Sequence, residues 1–122
     1  MTPEERALAA AGARFRLHGR KVETGLDCVG LAALAFGRAD VPTGYRLRGG
    51  TAADVMRALG PGFAAAEGGR AGDLLLFRAG PGQLHLAVRT ERGFVHADAG
   101  LGRVVERPGD FPWPLEAAWR KV

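Results

Sequence analysis

Leu26-Asp27-Cys28-Val29-Gly30-Leu31-Ala32-Ala33-Leu34-Ala35-Phe36 is the stretch that decides the reading of this 122-residue chain. It is nearly all apolar and too long for a typical strand. Asp27 is suited to capping a helix N-terminus and Gly37 to ending one, so the segment predicts a buried helix with Cys28 in its first turn. Downstream the period changes. Asp73 to Arg78, Leu84 to Arg89, Gly93 to Ala97 and Arg103 to Glu106 are short runs separated by turn residues, the pattern of an antiparallel meander. Leu115 to Val122 reads as a last strand or a tail helix. Thr2-Pro3-Glu4-Glu5 is a capping box with proline at the first helical position, predicting a short helix to about Ala11. Thr51 to Leu59 is a second capped helix, stopped by Gly60-Pro61, while residues 12–25 read as an irregular surface loop. Helices come first and strands later, with no repeat and no linker. The expectation is one α+β domain over residues 1–122, a buried helix packed on an antiparallel sheet.

Composition narrows the function. With 47% hydrophobic and 25% charged residues the chain is ordinary for a soluble globular domain, and Gly 19 plus Pro 7 point to many loops but not to disorder. A single cysteine excludes an intramolecular disulfide and a Cys-only zinc site. The acidic start, Thr2-Pro3-Glu4-Glu5, does not resemble a secretory signal, and no apolar run approaches the roughly 18 to 20 residues that cross a bilayer. A soluble cytoplasmic chain without a membrane span is expected. The net charge of +4 favours polyanions in general. The cations Arg14, Arg16, Arg20, Lys21, Arg46, Arg48, Arg89 and Arg92 are scattered, however, with no interleaved stacking aromatics, so nucleic acid is not the expected partner.

Cys28 serves either as a small hydrophobe or as a reactive thiol. The first turn of a helix presents unpaired N–H groups and the positive end of the macrodipole, which lower a thiol's pKa and suit an oxyanion. A thiolate nucleophile also needs a base. His85 and His96 lie on consecutive predicted strands, far from Cys28 in sequence, as expected of partners assembled by folding. A two-residue turn at Glu91-Arg92 would set His85 opposite Asp98 and His96 opposite Ala87, so that His85, His96 and Asp98 share one side of the sheet. These ligand types would suit zinc, but their spacing follows no metal motif, and neither metal nor other cofactor is expected.

Four linked blocks carry a resemblance: Leu26-Asp27-Cys28-Val29-Gly30-Leu31, Gly72-Asp73-Leu74-Leu75-Leu76-Phe77, His85-Leu86-Ala87-Val88 and Gly93-Phe94-Val95-His96-Ala97. In this order and spacing they resemble the NlpC/P60 cysteine peptidases. Gly12-Ala13-Arg14-Phe15-Arg16-Leu17-His18-Gly19, leading into the Asp-Cys motif, is similar to the branch found in phage-tail and gene-transfer-agent modules. The resemblance spans roughly residues 12–106.

It implies a compact papain-like α+β fold and cleavage of amide bonds in the stem peptides of peptidoglycan, often next to D-glutamate. By resemblance Cys28 is the nucleophile, His85 its base, and His96 the polar residue on the next strand that orients the base. The hairpin register instead sets Asp98 opposite His85 and His96 on the diagonal, roughly 7 to 8 Å away; His96 is preferred and Asp98 is the contingency. Phe15 stands where the family usually has a tyrosine, and Val29 where many members have serine. Asp27 either receives a substrate amine, as in some members, or caps the helix. His18 lies in the segment expected to border the cleft. Gly72-Asp73 is read as a structural turn, and Phe111-Pro112-Trp113-Pro114 and Trp119 as core packing by default, with packing on the open edge of the sheet or a docking surface as the alternatives. Without a signal, access to the wall would come through a tail-like particle or through lysis, with tail proteins as partners. Two alternatives share the fold: a tail module that binds with little turnover, and a thiol acyltransferase.

Overall fold

The computed structural model describes residues 1–42 and 47–122; Arg46, one of the scattered cations, lies outside the described residues. Helix α1 spans Pro3–Ala9, two residues shorter than expected, and both bonds of the Thr2/Glu5 capping box are present. It buries Ala7 against α2, and Arg6 Nη1 donates to Ala35 O at 3.1 Å, satisfying a carbonyl at the C-terminal end of that helix. The loop after α1 is more regular than its composition suggests. It holds a two-stranded ribbon, β1 (Arg20–Lys21) and β2 (Gly25–Leu26), in which Arg20 pairs with Leu26 and Lys21 with Gly25. Leu26 therefore belongs to a strand, and α2 covers Cys28–Ala35 with Asp27 as its cap.

Helix α2 is buried on nearly every side, which explains its lack of an amphipathic pattern. Two glycines permit its close approach to the ribbon. A Cβ at Gly30 would run into the Gly19 carbonyl, and one at Gly19 into the Gly25 carbonyl. Helix α3 (Ala52–Leu59) turns Val55 and Leu59 inward and carries a Thr51/Asp54 capping box. Among the described residues no helix is long and apolar enough to cross a membrane.

Six strands form one antiparallel sheet: β3 (Phe63–Ala65), β4 (Leu74–Gly80), β5 (Gln83–Arg89), β6 (Gly93–Asp98), β7 (Arg103–Pro108) and β8 (Leu115–Lys121), in the order β3-β8-β4-β5-β6-β7. The expected meander is β4 to β7. The tail is a strand, which returns to the free edge of β4 and recruits β3, an element too short to show a period in sequence.

The two faces of the sheet explain the unbroken apolar run of β4. Leu74 and Leu76 join Leu84, Leu86, Val88 and Val95 in the core that packs against the helices. Leu75 and Phe77 face the other way, with Ala87 and Phe94, under Phe111, Trp113 and Leu115. Phe111 and Trp113 thus pack on the buried cluster of the second face, as the core-packing expectation has it, and not along the open edge of the sheet. Phe77 alone meets the rings of Phe94 at 5.2 Å, Phe111 at 5.0 Å and Trp113 at 5.4 Å. Trp119, on β8, packs with the helix-side core. The Gly72-Asp73 turn is structural in a specific way: Asp73, 1% exposed, accepts a two-pronged bond from Arg120, Nε to Oδ1 at 2.8 Å and Nη2 to Oδ2 at 2.9 Å, tying β8 to the start of β4.

Candidate active site

The expected hairpin register holds between β5 and β6, but only briefly. Val88 pairs with Val95 and Arg89 with Phe94, and Thr90 N–H donates to Gly93 O at 2.9 Å across the Glu91-Arg92 turn. Beyond Val88 the two strands separate. Even-numbered residues of β5 direct their N–H groups toward β6, so the split leaves those of Leu86 and Leu84 without a strand partner. Leu84 N–H donates to Leu47 O at 2.9 Å. The Leu86 N–H is instead left toward the sulfur of Cys28, which the N-terminus of α2 carries to the split and whose thiolate that N–H favours.

His85 and His96 stand on the face of the sheet that carries Phe77 and Phe94. Because the strands have diverged, the expected His85–Asp98 pairing does not form. Instead His85 Nε2 lies 2.9 Å from His96 Nδ1, with the rings nearly perpendicular at 86°. On its far side His96 Nε2 is buried without a hydrogen-bond partner, 3.9 Å from Asp98 Oδ2. Asp98 Oδ1 accepts from Leu101 N–H at 3.0 Å. The order is therefore His85, His96, Asp98. It also suggests the tautomers: a proton on His96 Nε2, facing the carboxylate, leaves Nδ1 to accept from His85 Nε2–H, and His85 Nδ1 then carries a free lone pair. Trp113 packs on both imidazoles, with centroids 5.4 Å from His85 and 5.7 Å from His96.

Burial dominates the electrostatics. The N–H groups of Leu86, Cys28 and Val29 pull the thiol pKa down, as expected of a helix N-terminus. Desolvation outweighs them, the Asp27 carboxylate adds to it, and the thiol is pushed up to about 12. The expectation of a lowered thiol pKa is thus corrected: Cys28 is only 5% exposed, and loss of hydration costs the thiolate more than three N–H groups return. His85 is lowered to about 4, first by burial and then by His96, with Asp98 opposing. His96 is lowered by burial and by Arg107, again opposed by Asp98. At neutral pH the site holds a neutral thiol and neutral imidazoles.

Cys28, His85, His96 and Asp98 line one cavity of about 380 Å³, walled by Phe15, Leu17, Leu47 and Trp113. Asp27 also reaches it, but its carboxylate is engaged: Oδ1 accepts from Gly30 N–H at 2.8 Å and Arg20 Nη1 at 3.1 Å, Oδ2 from His18 N–H at 2.8 Å. This geometry supports the capping role. His18 is exposed and is not among the cavity's lining residues; its backbone, at φ 61, serves to hold Asp27. Among the described residues no group of three His, Cys, Asp or Glu side chains is arranged to hold a metal ion. Sequence reasoning missed Trp113, Leu17, Leu47 and the Leu86 N–H as parts of the site. Trp113 is held between Pro112 and Pro114, a sign of a rigidly presented ring, whereas nothing local marks a backbone N–H freed by strand divergence.

No protein-family model matches the chain, and no curated protein matches it.

Proposed function

We propose that the protein is a thiol hydrolase of the papain-like type, similar to the NlpC/P60 peptidases, that cleaves amide bonds in peptidoglycan stem peptides. The observation that carries this reading is the convergence of a helix-N-terminal cysteine and the His85–His96–Asp98 chain on one cavity. In the reaction Cys28 Sγ attacks the amide carbonyl as His85 Nδ1 takes the thiol proton. Because the resting pair is neutral, proton transfer accompanies attack and does not precede it. His85 then bears a positive charge, which His96 Nδ1 supports as hydrogen-bond acceptor and Asp98 through its field. N–H groups at the start of α2 are suited to the developing oxyanion. His85 returns the proton to the leaving amine, leaving a thioester on Cys28. Water, deprotonated by His85, releases the acid and restores the thiol. Delivery to the wall by a tail-like particle belongs to the same proposal.

The buried thiol favours a second reading, a binding module of the same fold with little turnover. Incubation with stem-peptide fragments separates the two by mass spectrometry. The hydrolase yields cleaved fragments, with an acyl adduct on Cys28 at short times and neither in Cys28→Ala. Intact fragments and an unmodified Cys28 would refute it. Products joined to an added amine would instead identify the acyltransferase.

A further inference from the structure

We propose that Trp113 is a positioning residue, whose ring holds His85 and His96 in hydrogen-bond contact across the gap where β5 and β6 part. Backbone pairing between these strands ends at Val88 and Val95. His85 is paired with Phe77 on β4 and His96 with Val105 on β7, so the two imidazoles are carried by opposite sides of the split. One hydrogen bond between neutral rings roughly offsets the side-chain freedom lost in making it, so the 2.9 Å contact needs another support. Trp113 meets both rings, at centroid distances of 5.4 and 5.7 Å and interplanar angles of 78° and 68°, the edge-to-face geometry that aromatic pairs favour. The indole is itself fixed. It packs on Phe77 at 5.4 Å and Phe94 at 6.1 Å, while Arg107, opposite Phe94 on β7, sets its guanidinium 5.7 Å from the ring centroid. Pro112 and Pro114 restrict the backbone on either side, and Pro114 O accepts from Arg78 N–H at 3.0 Å, tying the segment to β4. Phe111 covers the same face through Phe77 at 5.0 Å and Phe94 at 6.0 Å, but its ring contacts among the described residues include neither imidazole.

The readout is the His85 Nε2–H resonance in proton–nitrogen correlation spectra at pH 7, since a ring N–H exchanges with water too fast to be seen unless a hydrogen bond protects it. Trp113→Met keeps apolar bulk without a ring, and Trp113→Leu serves if that variant does not fold. Either should lose the resonance, whereas Trp113→Phe and Phe111→Met should keep it. On stem-peptide fragments the Met or Leu variant should lower kcat on the order of 100-fold, the loss that a displacement of about 1 Å produces, with KM changed less. Trp113→Phe should recover most of that loss. A wild-type spectrum without the resonance, its retention in a folded Trp113→Met or Trp113→Leu chain, or its equal loss in Phe111→Met would overturn the inference. The spectra need no substrate, so they decide it even if the wild type cleaves no fragment and the hydrolase reading fails.

Discussion

Acidification should destabilise the fold through His85 in a window set by its burial. The ring is lowered from 6.5 to about 4, with desolvation first among the causes. Above about pH 6.5 the folded and unfolded chains both hold His85 neutral, and it contributes no pH dependence. As pH falls below 6.5 the unfolded chain binds a proton that the folded chain resists until about pH 4, so stability present above the window is lost across it. At about 1.4 kcal/mol per pH unit the gap sets a ceiling of about 3 kcal/mol, and partial exposure of the ring reduces this to about 2 kcal/mol. His96, lowered by its own burial, acts in the same direction. Urea unfolding followed by tryptophan fluorescence at pH 7 and pH 4 measures the effect. His85→Gln keeps a donor for His96 and does not titrate, so its difference from wild type isolates His85 from the carboxylates that also titrate there. With a urea slope of about 2 kcal/mol per molar, the wild-type midpoint should fall by about 1 M more than that of the variant. Parallel losses would show that His85 titrates as a solvated imidazole, and would refute its role as a buried neutral base.

On stem-peptide fragments, His96→Ala should lower kcat by roughly 10²- to 10⁴-fold and Asp98→Asn by about tenfold, since Asp98 acts through His96; the reverse order would make Asp98 the group that orients the base. The acid limb of kcat/KM should fall near pH 4 instead of 6.5, because protonated His85 cannot accept the thiol proton. Gly30→Ala should lower the Tm, although replacing a glycine within a helix by alanine ordinarily stabilises by about 0.5–1 kcal/mol, because the new Cβ would run into the Gly19 carbonyl; a raised Tm would contradict that packing. Phe77→Ala should cost about 3–5 kcal/mol in urea unfolding, and a loss below 1 kcal/mol would mean that Phe111 and Trp113 do not cover that face.

Much of the fold was legible because its signals are local. Capping boxes at Thr2 and Thr51, the apolar run from Cys28 and the turn-bounded strands each report on neighbours a few residues apart. The Glu91-Arg92 turn foretold the register at Val88 and Val95. Less was legible where distant segments meet. β3 exists because β8 offers it an edge, and the short ribbon before α2 forms because glycine backbones at 19 and 25 can approach. Neither leaves a period in the sequence.

The candidate site divides in the same way. Placement of Cys28 at the start of a helix, and of His85, His96 and Asp98 on one side of a hairpin, was decided by the sequence alone, because caps and strand alternation depend on near neighbours. Tertiary structure alone decided that β5 and β6 part after Val88, that His96 and not Asp98 touches His85, and that the thiol rests protonated. Strand divergence depends on what is wedged between the strands, and a pKa depends on how much water the whole fold removes.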